Sequence, residues 1–253
     1  MHPILFKLGP ITIHTYGLMM ATAFLVSYLL LAREVRRLGE KTDFASNMVF
    51  WAAVGGLAGA KLLYALENLK YTIQDPLGTI FSGAGLAFHG GLFGGTLAVI
   101  VYLKKHKKSV GEYADIVGPI LLVGQAIGRI GCFFAGCCHG KECSLPWAVT
   151  FPNAIPPASG PVHPTQLYEA LYNVIIYFVL IKLRPRLRKR WATFSLYLIF
   201  AGVERFLIEF IRVNPRILFG LTVFQYTSLA MILAGIFILL FLAEPLDKKG
   251  YNR

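Results

Sequence analysis

Seven long apolar segments constrain this chain more than any other feature, because each is long enough to cross a lipid bilayer. They run over about residues 12–33, 46–66, 80–103, 113–134, 166–183, 192–211 and 219–242. A helix needs about 20 apolar residues to span a hydrocarbon core of about 30 Å. Of the 253 residues 56% are hydrophobic and only 15% are charged. We therefore expect an all-α polytopic membrane protein that forms a single domain over residues 1–253.

The basic residues alternate between the loops that join these segments. Lysines and arginines cluster after segments one, three, five and seven, whereas the loops after segments two, four and six are poor in them. Short basic loops remain cytoplasmic, so the pattern predicts an outer N-terminus and a cytoplasmic C-terminus. Most of the net charge of +12 then lies against anionic headgroups. The expected partner of this charge is the lipid bilayer and not nucleic acid.

The longest outer connection, about residues 138–164, contains six prolines. Proline lacks a backbone donor and interrupts regular helices and sheets. We therefore expect this segment to form an irregular cap over the outer face of the protein.

Polar side chains gather at the predicted outer ends of several segments. They are Tyr16, His89, Arg129, Gln166, Glu169, Arg205, Glu209 and Arg212. Burying an arginine at the centre of a membrane helix costs roughly 2.5 to 3.5 kcal/mol, so such residues usually have a function. Arg205 with Glu209 alone is explained equally well as a tie between helices. The whole set predicts an anion site at headgroup depth, where arginines bind phosphate and a histidine accepts a proton.

The sequence resembles the bacterial prolipoprotein diacylglyceryl transferases over nearly its whole length. The matching motifs are His14-Thr15-Tyr16-Gly17-Leu18-Met19, Gly59-Ala60-Lys61, Phe88-His89-Gly90-Gly91-Leu92, the stretch from Gly128 to Gly140, His163-Pro164-Thr165-Gln166-Leu167-Tyr168-Glu169, Arg205-Phe206-Leu207-Ile208-Glu209-Phe210-Ile211-Arg212 and Gln225. Each motif alone is weak, but their order and spacing together are specific to this family.

The resemblance implies transfer of the diacylglyceryl group of phosphatidylglycerol to the lipobox cysteine of a prolipoprotein signal peptide. The products are a thioether and glycerol phosphate, and no cofactor or metal is implied. By this resemblance Arg129 and Arg205 hold the phosphate, Tyr16 shapes the lipid site and His89 is the candidate base for the acceptor thiol. His89 is also compatible with a hydrogen bond between helices. The implied location is the bacterial inner membrane, with the site facing the outer leaflet.

A larger set of residues is expected to bind the substrate. It comprises Gly128, Arg129, Gly140, Gln166, Glu169, Glu209 and Arg212. Within this set, Glu209 is expected to fix the orientation of Arg205.

Several positions depart from the common pattern of the family. Cys132 stands where asparagine is common, and Cys137 where glutamate is common. Cys138 and His139 are also atypical, Ala201 replaces a usual tyrosine, and Lys61 replaces a frequent arginine. The departures indicate a divergent branch with the same phospholipid chemistry.

All four cysteines of the chain, Cys132, Cys137, Cys138 and Cys143, lie at or beside the predicted outer loop. Thiols outside the cytoplasm tend to be oxidised, so a disulfide that pins this loop is the main prediction, without a defined pairing. A metal site formed by Cys137, Cys138, His139 and Cys143 is a weaker alternative, because adjacent cysteines suit a tetrahedral ion poorly. Inert thiols that pack between helices are the remaining alternative.

Two other functions stay open on this scaffold. A phospholipid-binding or transport protein would also use a polar outer pocket, although the sequence shows no inverted repeat. A membrane thiol redox protein would use the cysteines, although the sequence has no Cys-x-x-Cys motif. Substitution of Arg129 separates a transferase from a redox protein, which would depend on its cysteines instead.

Overall fold

The structure, a computed structural model, describes residues 4–8, 11–76, 78, 87–151, 155–187 and 189–245. Its regular elements are β1 (Ile4–Leu8), β2 (Ile11–His14), α1 (Thr15–Arg37), α2 (Thr42–Glu67), α3 (Leu69–Gln74), α4 (Phe88–Lys105), α5 (Val110–Ala135), α6 (Thr165–Leu183), α7 (Ala192–Ile208) and α8 (Val223–Phe237). Short 3-10 helices lie between the last of these helices, at Arg184–Arg186 after α6 and at Glu209–Ile211 and Leu218–Gly220 after α7. Helix α8 continues as a π-helical turn at Ile238–Leu242.

The helical membrane architecture is confirmed, although in a coarser form than predicted. Among the described residues, five helices are long and apolar enough to cross a membrane: Thr15–Arg37, Thr42–Glu67, Val110–Ala135, Thr165–Arg186 and Val223–Leu242. The third predicted segment corresponds to α4, which has 18 residues, and part of that segment lies outside the described residues. The sixth corresponds to α7, which has 17 residues. Seven spans and their orientation therefore stay predictions.

A short hairpin at the N-terminus was not predicted. Strands β1 and β2 pair antiparallel, with Lys7 opposite Thr12 and Leu8 opposite Ile11. The first apolar segment therefore begins as a strand, and the helix starts at Thr15.

The chain forms two compact units, one of residues 1–31 and 111–253 and the other of residues 32–110. The prediction of a single domain stays a prediction. Helix α1 is divided between the two units, with residues 15–31 in the first and residues 32–37 in the second.

Glycines bring α2 and α4 into backbone contact in the unit of residues 32–110. Gly55 and Gly59 are four residues apart on α2, as are Gly90 and Gly94 on α4. A Cβ at Gly59 would lie 2.9 Å from the Cα of Gly94, and a Cβ at Gly94 would lie equally close to the Cα of Gly59. Small residues at this spacing let membrane helices approach closely and gain van der Waals contact.

We expect Gly94→Ala to lower the free energy of unfolding by about 1 to 3 kcal/mol, the usual cost of overpacking. The added methyl group would meet backbone atoms of α2, which cannot rotate away as a side chain would. Thermal unfolding in detergent micelles measures the effect. Gly56→Ala is the matched control, because its Cβ meets its nearest neighbour, the carbonyl oxygen of Gly91, at 3.4 Å. Equal melting temperatures for the two variants would contradict this account of the helix pair.

In the other unit, α1 packs closely on the last turns of α5. A Cβ at Gly131 would lie 2.9 Å from the Cβ of Met19 and 3.3 Å from Cδ2 of Tyr16. The ring of Tyr16 therefore lies against the segment that carries Arg129 and Cys132. Glycine at position 131 permits this approach because it has no side chain.

The end of α5 has the hydrogen bonds of a Schellman motif. The N–H of Gly136 bonds to the carbonyl of Phe133 at 3.2 Å, and the N–H of Cys137 to the carbonyl of Cys132 at 3.2 Å. Gly136 has a φ of 73°, the left-handed conformation that this motif requires. The motif turns the chain back, so Cys137 returns towards Cys132.

In the predicted cap, the described residues 138–151 and 155–164 form no helix or strand, and isolated backbone pairs hold them. Val149 and Val162 exchange two hydrogen bonds of 3.1 and 3.0 Å. The N–H of Lys141 bonds to the carbonyl of Ile211 at 2.7 Å. This bond ties the cap to the 3-10 helix that follows α7, and thus to the segment that carries Arg212.

Two further contacts stabilise the N-terminal ends of α7 and α8. Asp115 of α5 accepts a hydrogen bond of 2.8 Å from the N–H of Phe194, in the first turn of α7. Thr222 and Gln225 form a capping box at the start of α8, with both reciprocal bonds present. These caps supply partners for helix N–H groups that would otherwise lack them.

Candidate active site

A single buried carboxylate, Glu169, lies at the centre of the polar cluster in the unit of residues 1–31 and 111–253. Its side chain is only 1% exposed. One carboxylate oxygen lies 2.6 Å from Nε of Arg129 and 3.8 Å from Nη1 of Arg205. The other oxygen accepts a hydrogen bond of 3.0 Å from Nη1 of Arg212. Helices α5, α6 and α7 and the segment after α7 therefore meet at this residue.

A second carboxylate, Glu209, forms an ion pair with Arg205. Its Oε2 lies 3.2 Å from Nη2 of Arg205, one helical turn away. Its Oε1 accepts a hydrogen bond of 2.6 Å from the amide of Asn214. On its other side the guanidinium of Arg205 lies over the ring of Phe224, 4.5 Å from the centroid. Arg205 is thus fixed by an ion pair and a cation–π contact.

The arginines keep capacity for a further anion. Each guanidinium has five N–H donors, and the side chain of Arg205 is 17% exposed. The side chain of Arg129 is 26% exposed, compared with 7% for Arg212. Arg129 and Arg205 therefore form the open side of the cluster, and Arg212 lies at its closed side.

Sequence reasoning missed Glu204, the residue before Arg205. This carboxylate lies within electrostatic range of Glu169 and Arg129. Its Oε1 is buried and has no hydrogen-bond partner among the described residues. The sequence does indicate Glu204, as a negative charge inside the apolar run of α7. The next residue is Arg205, however, and two adjacent opposite charges suggest that they only neutralise each other.

Gln166 and Thr165, both fully buried at the start of α6, bind the turn that carries the cysteines. The Gln166 amide donates a hydrogen bond of 2.7 Å to the carbonyl of Cys137. The Thr165 hydroxyl donates one of 2.8 Å to the carbonyl of Cys138. Gln166 was predicted to bind substrate, and the structure gives it this contact with the protein backbone.

The two glycines of the predicted site have different surroundings. A Cβ at Gly140 would lie 2.8 Å from atoms of His163, Ile211 and Thr165, so close packing of three segments requires glycine there. A Cβ at Gly128 would meet only the sulfur of Met20, at 3.7 Å. Gly128 therefore leaves space beside Arg129.

Tyr16 and His89 belong to different units. Tyr16 begins α1 with 42% of its surface exposed, and it lies within electrostatic range of Arg129 and Cys132. His89 is the second residue of α4 and is exposed. Its predicted role as a base stays a prediction.

The four cysteines are free thiols in the structure, which therefore lacks the predicted disulfide. Instead, the Sγ atoms of Cys132, Cys137 and Cys138 all lie within 4.8 Å of one another. The turn at the end of α5 causes this arrangement, because Cys138 adopts a φ of 65° and directs its side chain to the same side as Cys137. Cys143 is not part of this thiol cluster.

The thiol cluster is polarised by its neighbours. The pKa of the Cys138 thiol lies well below its usual value, because Cys132 and then Cys137 donate hydrogen bonds to its sulfur. Arg212 and Arg129 favour its thiolate further through their charge. These contacts and the arginine charges therefore favour the thiolate form of Cys138 over its thiol.

His139 does not join the thiols, contrary to the alternative metal site. Its Nδ1 lies 2.8 Å from the carbonyl oxygen of Gly140, and its Nε2 lies 2.7 Å from that of Pro156. The ring is 3% exposed and stacks on Phe151. His139 therefore supports the cap from inside.

Known proteins match this chain over nearly its whole length. A family model described as prolipoprotein diacylglyceryl transferase matches residues 3–241. A protein of Clostridium tetani named phosphatidylglycerol–prolipoprotein diacylglyceryl transferase is 37% identical over 240 residues, which cover 94% of this chain and 96% of the relative. A protein of the same name from Pseudomonas entomophila is 35% identical over 248 residues, covering 94% and 92%. The chain belongs to the prolipoprotein diacylglyceryl transferase family.

Proposed function

We propose that this protein transfers the diacylglyceryl group of phosphatidylglycerol to the lipobox cysteine of a prolipoprotein signal peptide. The observation that carries the proposal is the pair Arg129 and Arg205, which face one oxygen of Glu169 and whose side chains both stay partly exposed. The names of the relatives identify the same donor and acceptor. The protein is accordingly a membrane transferase.

The reaction joins the acceptor sulfur to a glyceryl carbon of the lipid. The carbon–oxygen bond to the phosphate breaks, and the electron pair leaves with that oxygen as glycerol phosphate. Negative charge therefore grows on the phosphate oxygens in the transition state. Arg129 and Arg205 stabilise this charge, because their positions are fixed by Glu169 and Glu209 before the reaction starts.

The acceptor thiol must lose its proton, since a free cysteine with a pKa of about 8.5 is mostly protonated at neutral pH. His89 is the proposed base, on the strength of the family resemblance. Tyr16 lines the proposed lipid site beside Arg129, and Gly128 leaves room for the headgroup. Seven spans in the bacterial inner membrane, with the site facing the outer leaflet, complete the proposal.

One experiment tests both the reaction and its side of the membrane. Purified protein is placed in sealed vesicles of phosphatidylglycerol with a lipobox peptide, and the orientation of each vesicle population is determined by proteolysis. Mass spectrometry should find a peptide with a diacylglyceryl thioether. Glycerol phosphate should appear in the external medium only when the predicted outer face is external. Release into the vesicle interior would contradict the orientation, and absence of the thioether would contradict the reaction.

A further inference from the structure

We propose that Cys132, Cys137 and Cys138 bind a zinc ion, and that the fourth position of this ion takes the thiol of the acceptor peptide. The metal site stands on the geometry of the thiol cluster alone. Its role towards the acceptor rests on the proposed transferase function.

The spacing of the three sulfurs is close to that of a zinc site. Their Sγ atoms all lie within 4.8 Å of one another. In a tetrahedral zinc site with Zn–S bonds of about 2.3 Å, neighbouring sulfurs are about 3.8 Å apart. The largest separation in the thiol cluster therefore exceeds that of a zinc site by at most about 1 Å. All three cysteines are partly exposed, so a fourth ligand can reach the ion.

The backbone of the thiol cluster is held by buried partners. Gly136 and Cys138 adopt positive φ values of 73° and 65°, which turn the chain back over the end of α5. Thr165 and Gln166 bind the carbonyls of Cys138 and Cys137. Outer partners of this kind orient metal ligands and raise metal affinity.

The charges around the thiol cluster also suit a zinc–thiolate complex. Three thiolates and one Zn²⁺ carry a net charge of −1, which becomes −2 when the acceptor thiolate binds. Arg129 and Arg212 act on Cys138 with positive charge. They therefore compensate the complex, which would be costly to bury alone.

Zinc would convert the acceptor thiol, which is mostly protonated at neutral pH when free, into the reactive thiolate. Binding to zinc would lower the pKa of the thiol, so its proton would pass to the proposed base His89 or to water and its sulfur would become a metal-bound thiolate. A lone pair of this sulfur then forms the bond to the glyceryl carbon, while the carbon–oxygen bond breaks and its electron pair leaves with the phosphate. The product sulfur is a neutral thioether, a weaker ligand for zinc, and is released. No oxidation or reduction takes place.

Cadmium titration of the full-length protein in detergent tests the metal site directly. We expect one Cd²⁺ per chain and an ultraviolet sulfur-to-cadmium charge-transfer band. Cys132→Ser and Cys138→Ser should weaken binding by about tenfold or more. Cys143→Ser is the matched control, because this thiol of the same loop lies outside the thiol cluster. Absence of the band in the unmodified protein, or its loss in Cys143→Ser alone, would overturn the site.

The activating role needs a separate measurement. Protein stripped of metal by a chelator, with the loss verified by elemental mass spectrometry, should transfer up to about thirtyfold more slowly at pH 7, because a free thiol is only a few per cent ionised there. Added Zn²⁺ should restore the rate. The double variant Cys132→Asn and Cys137→Glu should bind no cadmium, and stripping should not change its rate.

The outcomes separate the two proposals. An unchanged rate after verified removal of the metal would overturn the activating role. If the thiols bind cadmium but the protein transfers no lipid, either stripped of metal or with added Zn²⁺, the metal site is supported and the transferase function is contradicted.

Discussion

Glu169→Gln is expected to lower the free energy of unfolding by about 3 to 5 kcal/mol, the cost of breaking a buried ion pair from one side. The substitution keeps the size of the side chain and removes its charge. Glu169 is the residue that Arg129, Arg205 and Arg212 all contact. The substitution would therefore leave these three arginines without their shared negative charge. Thermal and denaturant unfolding in detergent micelles measure the loss.

The matched control for this prediction is Glu67→Gln. Glu67 is an exposed carboxylate at the end of α2, so its substitution should change the free energy of unfolding by less than about 0.5 kcal/mol. If Glu169→Gln were as stable as the control, Glu169 would not be the residue that holds the arginines together.

Arg129→Ala should lower kcat/KM for transfer by about 10²- to 10³-fold, the usual effect of removing one fixed donor from a developing anion. Arg129 is the most exposed of the three arginines, so it is the one that meets the substrate phosphate most directly. Arg129→Lys should recover little of the loss, because an ammonium group cannot bind two oxygens in a plane. Thioether formation, followed by mass spectrometry, gives the rates.

Arg33→Ala is the control for the change of net charge, because Arg33 is exposed near the end of α1. It should transfer at the rate of the unmodified protein. Folding of each variant is checked by its melting temperature. A folded Arg129→Ala variant with normal kcat/KM would remove Arg129 from the phosphate site.

The helices could be predicted from the sequence because apolar length is a local property. Helices α5 and α6 begin and end within a few residues of the predicted segments. The first predicted segment begins at residue 12, before α1 starts at Thr15, because the alternating isoleucines of β2 border the apolar run of the helix. The close contact of α2 with α4 depends on which glycines face each other, and this cannot be read from either helix alone.

The members of the site were predictable, whereas their arrangement was not. Charged residues in apolar segments identified Arg129, Glu169 and Arg205 as unusual. Their sharing of Glu169 arises from the packing of α5, α6 and α7, which brings together residues far apart in the chain. The sequence suggested instead that Arg205 and Glu209 form a separate pair, because helical spacing makes that contact visible.

The thiols show a different limit of sequence reasoning. Adjacent cysteines seemed unsuited to a common site because neighbouring side chains usually diverge. The positive φ at Cys138 removes this difficulty, but a cysteine gives no sign of such a conformation. Gly136 was the available signal, since glycine after a helix end favours a reversal of the chain.

The contact between Arg129 and Glu169 has a consequence for how the protein enters the membrane during synthesis. Arg129 lies near the end of α5, and Glu169 lies in the second turn of the next long helix, α6. A nascent chain that has delivered only α5 carries an unpaired arginine, which disfavours transfer into lipid. Arrival of α6 supplies the countercharge at once, whereas Arg205 and Arg212 arrive later and join an existing pair. The two helices should therefore leave the translocation channel together, as a hairpin, and a chain truncated between them should insert poorly.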